Sequence, residues 1–392
     1  MIKYSKIKDI CEITNGYAFK SDKYVTDEGV RVIRITNVQK GKVVDNDPKI
    51  YPFSELSNLD TYKIYEGDIL MSLTGNVGRV GKFPMELLPA YINQRVCRVK
   101  SSSDNLLENY LFHFLNSDIF ENDARRNSAG AAQLNLSTKW VCEYEIPLPP
   151  LPTQQKIASI LDAADTLRQK DKALLAKYDE LTQSLFLDMF GDPVSNPKGW
   201  IEKSLGVSVD IITYGLTIRP AYQNEGIPVI SAKEIKSGEI EFQEAKLITR
   251  EDFNKVAKKG KPEINEILYT KTGAGIGQCA VVKNSIEFAI TQNIARIKFK
   301  KFININYMLF YLRTPYIQML SHRVSKGNAI KDLQLGDMKN FKLLLPPEVL
   351  QNQFAERIAV IVAQKTIVQK SLEKSESLFN SLLQKAFKGE LV

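Results

Sequence analysis

The residues that usually carry metal or nucleophile chemistry are scarce in this chain, with two histidines and four cysteines among 392 positions. His113 and His322 have no second ligand at metal-binding spacing, so neither H-E-x-x-H nor a Ser/His/Asp arrangement can be assembled. His113, inside YLFHFL, reads as a core or near-core residue, and His322, in SHRVSK, as either a phosphate contact or a solvated side chain. Cys11, Cys97, Cys142 and Cys279 are far apart and form no C-x-x-C. That spacing excludes a zinc ribbon or a disulfide framework and leaves small buried hydrophobes in a reducing cytoplasm. No apolar run reaches 18 residues, the length needed to span a bilayer. The opening MIKYSKIKDICEI lacks the apolar core of an export signal. The expectation is a cytoplasmic chain with no membrane partner, no metal and no catalytic residues of its own.

Two glycine loops, TGNVGRVG (74–81) and TGAGIG (272–277), invite a phosphate-binding reading. A Rossmann or Walker loop needs a helix directly after its glycines, because the helix N-terminus takes the phosphate. RVGKF and QCAVV follow here and read as strands, and Gly81-Lys82 is followed by Phe83 instead of Ser or Thr. Both loops are therefore expected to be hairpin turns in which glycine supplies positive φ. The [DN]-P-P-[YF] string of amino-methyltransferases is also missing.

What is present is a globular composition, 44% hydrophobic and 25% charged, and a repeat. The net charge of +8 favours a polyanionic partner. GDILMSLTGNVGRVGKF (67–83) matches NEILYTKTGAGIGQCAVV (265–282) with one residue inserted, and YINQRVCRVK (91–100) matches AITQNIARIK (289–298). NYLFHFLNS (109–117) matches NYMLFYLRT (306–314), Pro149-Pro150 matches Pro346-Pro347, and SLFLDMFGD (184–192) matches SLLQKAFKG (381–389). The separation is 197 between Asn109 and Asn306 and 198 between Gln94 and Gln292. One register held over half a chain is a tandem duplication.

Each half reads in the same order. A strand-rich mixed domain (1–148, then 196–345) ends in a proline segment, IPLPPLP or LLLPP, which cannot pair inside a sheet and marks a boundary. A long helix follows each time, within 149–195 and 346–392. Its first copy spaces Ile157, Ile160, Ala164, Leu167, Asp171, Leu174, Tyr178, Leu181 and Leu185 in heptads. The second spaces Ile358, Ile361, Lys365, Val368, Leu372, Ser375, Phe379, Leu382 and Ala386 likewise. Residues 153–188 would form a rod of ~54 Å. Each helix could pack on its own domain, but one long seam on each argues for antiparallel pairing. The fold class is α+β, with two mixed α/β domains joined by an antiparallel coiled coil.

Base readout needs Arg, Lys, Asn, Gln, Ser or Thr on exposed loops. In the first half the candidates are Lys20, Arg34, Asn37, Lys40, Thr74, Asn76, Arg79, Gln94, Arg95, Arg125, Arg126 and Gln133. In the second they are Tyr214, Arg219, Lys233, Lys271, Thr272, Gln278, Gln292, Asn293, Arg323, Lys326, Asn328 and Lys331. Singly, each is an ordinary solvated side chain. Together they place polar, basic loops at matching points of both copies with different residues, as two readers of different half-sites would require.

In three motifs the chain resembles the specificity subunits of type I restriction–modification systems. They are GDILMSLTGNVGRVG with NEILYTKTGAGIG, the junctions IPLPPLPTQQKIASILD and LLLPPEVLQNQFAERI, and SLFLDMFGDP. The resemblance covers essentially the whole chain. It implies a non-catalytic subunit with two target-recognition domains, each binding half of a split, asymmetric site on double-stranded DNA. It further implies a coiled coil that sets the spacing and docks two modification (methyltransferase) subunits, in a prokaryotic cytoplasm. S-adenosylmethionine, ATP and Mg2+ would then belong to those subunits and to the restriction subunits, the ATP-dependent motor and nuclease, and not to this chain. The alternatives are the recognition subunit of a type II-like restriction–methylation system and a coiled-coil adaptor that binds proteins.

Overall fold

The computed structural model describes residues 3–129, 134–218, 220–236, 238–283, 285–327 and 330–391. The chain divides into two compact units, Met1–Leu174 with Val368–Val392, and Leu175–Ile367. Each unit holds one mixed domain together with a stretch of both long helices.

In the first unit the main sheet runs, edge to edge, through Cys11–Asn15, Val96–Ser101, Ile69–Ser72, Val80–Lys82, Gly41–Val43 and Val38–Gln39. All four residues of Ile69–Ser72 are buried, as befits a central strand covered on both faces. Alternation splits them between two cores. Ile69 and Met71 join the helix-side cluster with Tyr110, Leu111, Phe114 and Leu115, while Leu70 joins Ile33, Phe83, Ile92 and Val96 on the other face. A three-stranded sheet of Ile50–Tyr51, Val30–Ile33 and Ala90–Ile92 closes that second face.

The second unit repeats the plan with Val209–Tyr214, Ile294–Phe299, Ile267–Thr270 and Cys279–Val281, then Lys246–Ile248, Ile227–Ile230 and Ala289–Ile290. Arg98 and its counterpart Arg296 each tie the strand beside the centre of the main sheet to a loop carbonyl. Arg98 reaches the Lys63 carbonyl at 2.7 Å. Arg296, 1% exposed, forks onto Glu266 at 2.6 and 2.7 Å and donates to the Lys258 carbonyl at 2.7 Å.

Each proline segment begins as a strand in a two-stranded ribbon, Glu145–Pro147 on Tyr4–Lys6 and Lys342–Leu345 on Ile201–Ser204. A ribbon of two strands has only edges, which is where proline is tolerated. The chain then turns into helices of 40 residues (Leu151–Phe190) and 41 residues (Glu348–Lys388). A buried glutamine fixes each turn. Gln154 accepts from the Leu107 amide (2.9 Å) and donates to the Asn105 and Pro149 carbonyls (both 2.8 Å). Gln351 accepts from the Asn304 amide and donates to the Pro346 carbonyl, each at 2.8 Å. The proline segment is thus a braced corner.

The long helices run antiparallel. In the first unit Asp171 accepts from Ser375 (3.0 Å) and Ser371, Lys172 meets Glu376 at 2.9 Å, and the Arg168 guanidinium lies 4.3 Å from the Phe379 ring centre. In the second unit Lys365 pairs with Asp179, and Phe186 and Phe190 pack on Phe354.

Along the second helix Ile358, Val368, Leu372, Ser375, Phe379 and Ala386 are buried, and Ile361, Lys365 and Leu382 half-buried. The first helix departs from the expected seam. Ile157, Ala164 and Asp171 are buried and Tyr178 and Leu185 half-buried, but Leu167, Leu174 and Leu181 are 46%, 40% and 49% exposed. The intervening inward positions lie one residue later. Leu161 is buried where Ile160 is half-buried, and Arg168, Leu175 and Thr182 are half-buried. Spacings of 3,4 and 4,3 satisfy the same period, and the doublets Ile160-Leu161 and Leu174-Leu175 suit either. At a separation of 197, Leu161 aligns with Ile358 and Leu175 with Leu372 in the repeat.

His113 is 2% exposed, and its Nε2 lies 2.7 Å from Asp162 Oδ1 on the first long helix. Its Nδ1 is buried without a hydrogen-bond partner among the described residues. Burial, opposed by the hydrogen bond to Asp162, lowers its pKa from the usual 6.5.

Leu161→Ala should destabilise the first unit by about 2–5 kcal/mol, and Leu167→Ala by no more than about 0.5 kcal/mol. Urea unfolding of the two variants checks the corrected seam, and equal losses would restore the original one. The His113 contribution is complete above pH 6.5 and fades as pH falls below it, because the unfolded chain takes up a proton that the folded state resists. Melting temperatures between pH 5 and 8 should therefore drop less on the acid side in His113→Gln than in the parent protein.

Candidate nucleic-acid interface

Both glycine loops are hairpin turns. The first joins Ile69–Ser72 to Val80–Lys82 and the second Ile267–Thr270 to Cys279–Val281, each pair antiparallel. Strands, not helices, follow the glycines. Gly75 and Gly78 have φ of 75° and 74°, and Gly273 and Gly277 of 92° and 97°. The glycine just before the returning strand of each hairpin, Gly78 or Gly277, also sits tight against a helix. A Cβ at Gly78 would lie 2.6 Å from that of Ala124, and one at Gly277 would lie 1.9 Å from Gln318 Oε1.

Each hairpin is stitched to neighbouring loops by the same backbone bonds. In the first unit the Leu73 amide donates to the Arg95 carbonyl (2.9 Å), Leu136 to Leu73 (2.7 Å) and Gly75 to Leu134 (2.9 Å). In the second unit Lys271 donates to Asn293, Leu333 to Lys271 and Gly273 to Lys331 at 2.9, 2.7 and 2.9 Å. Gln94 N reaches the Tyr17 carbonyl and Gln292 N the Leu216 carbonyl, at 2.8 and 2.9 Å. Asn93 N and Thr291 N bind the Ile33 and Ile230 carbonyls, both at 3.0 Å. Four loops therefore converge around each hairpin, and most of the expected polar residues ride on them.

In the first cluster Lys20, Asn76, Gln94, Arg95 and Arg126 are exposed. Arg79 Nη1 donates to Gln39 Oε1 at 3.3 Å, which ties the glycine hairpin to the Val38–Val43 hairpin. Arg34 is held by Asp47 (3.1 Å), Lys40 by Asp118 (2.5 Å) and Glu121 (3.2 Å), and Arg125 by Glu121 (3.5 Å). The Arg34–Asp47 and Lys40–Asp118 pairs face solvent, where ion pairs are weak.

In the second cluster Lys233, Gln278, Gln292, Arg323, Lys326 and Lys331 are exposed, and Asn293 is half-buried. Lys326 pairs with Asp337 at 3.4 Å. Tyr214, 36% exposed, has the Lys259 and Lys271 ammoniums 5.2 and 5.9 Å from its ring centre.

Four candidates hold the framework together instead of presenting a free edge. Asn37 is buried; its Oδ1 accepts from the Arg34 amide (2.8 Å), and its Nδ2 donates to the Val44 carbonyl and Asp45, both at 2.9 Å. Glu234 makes the matching clamp on the Ser231 amide at 2.7 Å. Thr74 is buried and donates to Asn135 at 2.8 Å. Lys271, half-buried, is neutralised by Asp332 at 2.6 Å, and Thr272 bonds the same carboxylate. Gln133, Arg219 and Asn328 lie outside the described residues. The expected polar loops take in Gln39, within Asn37 to Lys42, but stop one residue short of Asp332. The signal for Asp332 was its place opposite Asn135 in the repeat, a carboxylate in an otherwise basic loop.

Of the cysteines, Cys11, Cys97 and Cys279 are buried and Cys142 half-buried, all as free thiols. Burial pushes each of the three buried thiols up to about 12. Among the described residues no group of three His, Cys, Asp or Glu side chains could hold a metal ion. Among them, too, no helix is long and apolar enough to cross a membrane.

Fold and loops together define a class: a duplicated recognition protein with varied loops on a constant frame. The family model described as "Type I restriction modification DNA specificity domain" matches residues 2–177 and again 197–376. The chain belongs to that family. It is 28% identical to the type I restriction enzyme EcoBI specificity subunit of Escherichia coli, over 97% of this chain and 84% of the relative. It is 22% identical to the EcoKI specificity subunit of Escherichia coli strain K12, over 98% and 88%. The crystal structure of a type I restriction-modification S subunit from M. genitalium shares the fold, with a TM-score of 0.57 at 15% identity over 98% of this chain and 96% of that one. A chain from a study of assembly and conformational transition in the type I system scores 0.55 at 17% identity, over 99% and 98%.

Gly273→Ala and Gly277→Ala should each lose about 1–2 kcal/mol from positive φ alone. Gly277→Ala should lose more, because Gln318 must give up its 3.0 Å bond to the Gly277 carbonyl. A lower melting temperature for Gly277→Ala than for Gly273→Ala checks the close approach.

Proposed function

We propose that this chain is the DNA sequence-specificity subunit of a type I restriction–modification enzyme. Each loop cluster binds one part of a split, asymmetric duplex site, and the paired long helices set the spacing and dock two modification subunits. One observation carries the reading: the same four-loop framework is built twice, and its exposed side chains differ. Arg79 stands where the second copy has Gln278, Arg95 where it has Asn293, and Asn76 where it has Ala274. Backbone bonds that repeat to within 0.1 Å serve folding, whereas the differences among solvent-facing side chains serve recognition. The family match over both halves supports the same reading. In it the chain is not an enzyme by itself. Methylation, with S-adenosylmethionine, belongs to the modification subunits, and ATP- and Mg2+-dependent translocation and cleavage to the restriction subunits. The complex works in a prokaryotic cytoplasm.

The net charge of +8 and the exposed basic loops call for binding that weakens steeply with salt, as phosphate neutralisation releases counterions. Replacing residues 1–148 by the corresponding domain of a relative, in the complex with its modification subunits, should change one half of the methylated sequence and leave the other intact. Methylome sequencing reads the outcome. A change in both halves, or no sequence preference in the parent complex, would sink the proposal.

A further inference from the structure

Residues shared by the two copies fall into two sets. Buried ones, such as Gln154 with Gln351 and Tyr110 with Tyr307, are explained by folding, because each fills the matching place in its own unit. An exposed polar residue that is the same in both copies has no such explanation. Around the glycine hairpins, among the described residues, Arg126 with Arg323 meets that description, Arg126 beside Asp123 at 3.8 Å, and so does Gln94 with Gln292. Both glutamines are exposed, and neither side chain has a hydrogen-bond partner among the described residues. Their flanks differ, Asn93 and Arg95 in one copy against Thr291 and Asn293 in the other.

The backbone beneath each glutamine is held unusually firmly. Its amide is bonded to the neighbouring loop, and the residues before and after it are bonded to the central strand end and the glycine hairpin. Gly16 and Gly215 allow that approach, since a Cβ would come within 2.1 Å of the Asn93 carbonyl oxygen or 1.8 Å of the Ile290 carbonyl oxygen. A rigid platform thus presents the same amide in both units.

We propose, resting on the DNA-specificity reading above, that Gln94 and Gln292 donate through Nε2 to a phosphodiester oxygen of each half-site. They position the duplex independently of sequence, and the differing neighbours read bases. The chemistry common to two different half-sites is the backbone, and a neutral amide on a rigid loop is a suitable donor to it. A base-reading glutamine would instead select adenine.

The test uses the full complex with modification subunits and three duplexes: the cognate site, one with the first half scrambled, and one with the second half scrambled. Gln94→Ala and Gln292→Ala should each weaken cognate binding roughly ten-fold, as expected for one hydrogen bond to a charged group. The factor for Gln94→Ala should persist when the first half-site is scrambled, and methylome sequencing should return an unaltered target. Losses below two-fold for both variants would overturn the proposal. So would a Gln94→Ala effect that disappears on the scrambled first half, or relaxed specificity at one base, since either marks a base reader. Failure of the underlying reading looks different, because the parent complex itself would then bind all three duplexes alike.

Discussion

The architecture hangs on one aromatic joint, made once in each unit. Tyr307 donates its hydroxyl to the Leu344 carbonyl in the proline segment at 2.8 Å, while its ring takes Phe190 edge-on at 4.7 Å. Phe190 also packs on Phe354 at 5.2 Å. Tyr110 does the same with the Pro147 carbonyl at 2.9 Å and with Phe387 at 5.5 Å, and Ile157 joins the same core. Each joint therefore clamps a mixed domain, the start of its own long helix and the end of the other helix. A tyrosine suits the place because its ring fills the core while its hydroxyl satisfies a carbonyl that leaves a two-stranded ribbon. Burial drives the pKa of both hydroxyls well above the usual tyrosine range, so they remain donors at any physiological pH.

With the corner braced by Gln154 or Gln351 and the joint filled, the upper loops are free to vary. Four loops are held to one another by main-chain bonds that do not consult side-chain identity. This separation of duties lets Arg79 face Gln278 and Asn135 face Asp332 across the repeat without disturbing either sheet. It also explains why some polar residues in recognition loops are structural. Asn37 and Glu234 differ in charge yet clamp the same backbone amide, since either side chain supplies the acceptor oxygen.

The seam of the first long helix shows a limit of periodicity. Leucines at 167, 174 and 181 keep a strict seven-residue spacing and look like core, yet they face outward. Arg168 takes an inward place because its guanidinium lies over Phe379 while its aliphatic stem covers apolar surface. Asp171 is tolerated inside because Ser371 and Ser375 satisfy it. Polarity alone does not say which way such residues point.

The sequence by itself determined the duplication, the long helices and the nature of the glycine turns. Each follows from local chemistry or from a register that survives in the letters. Glycine spacing, proline pairs and heptads act over a few residues and need no distant partner. Only the tertiary structure decided which of two overlapping leucine stripes forms the seam, and which polar loop residues are clamps. Those outcomes depend on groups far along the chain, such as Asp332 neutralising Lys271 across 61 positions. A residue's solvent exposure is a property of the packed neighbourhood, and no reading of the residue alone contains it.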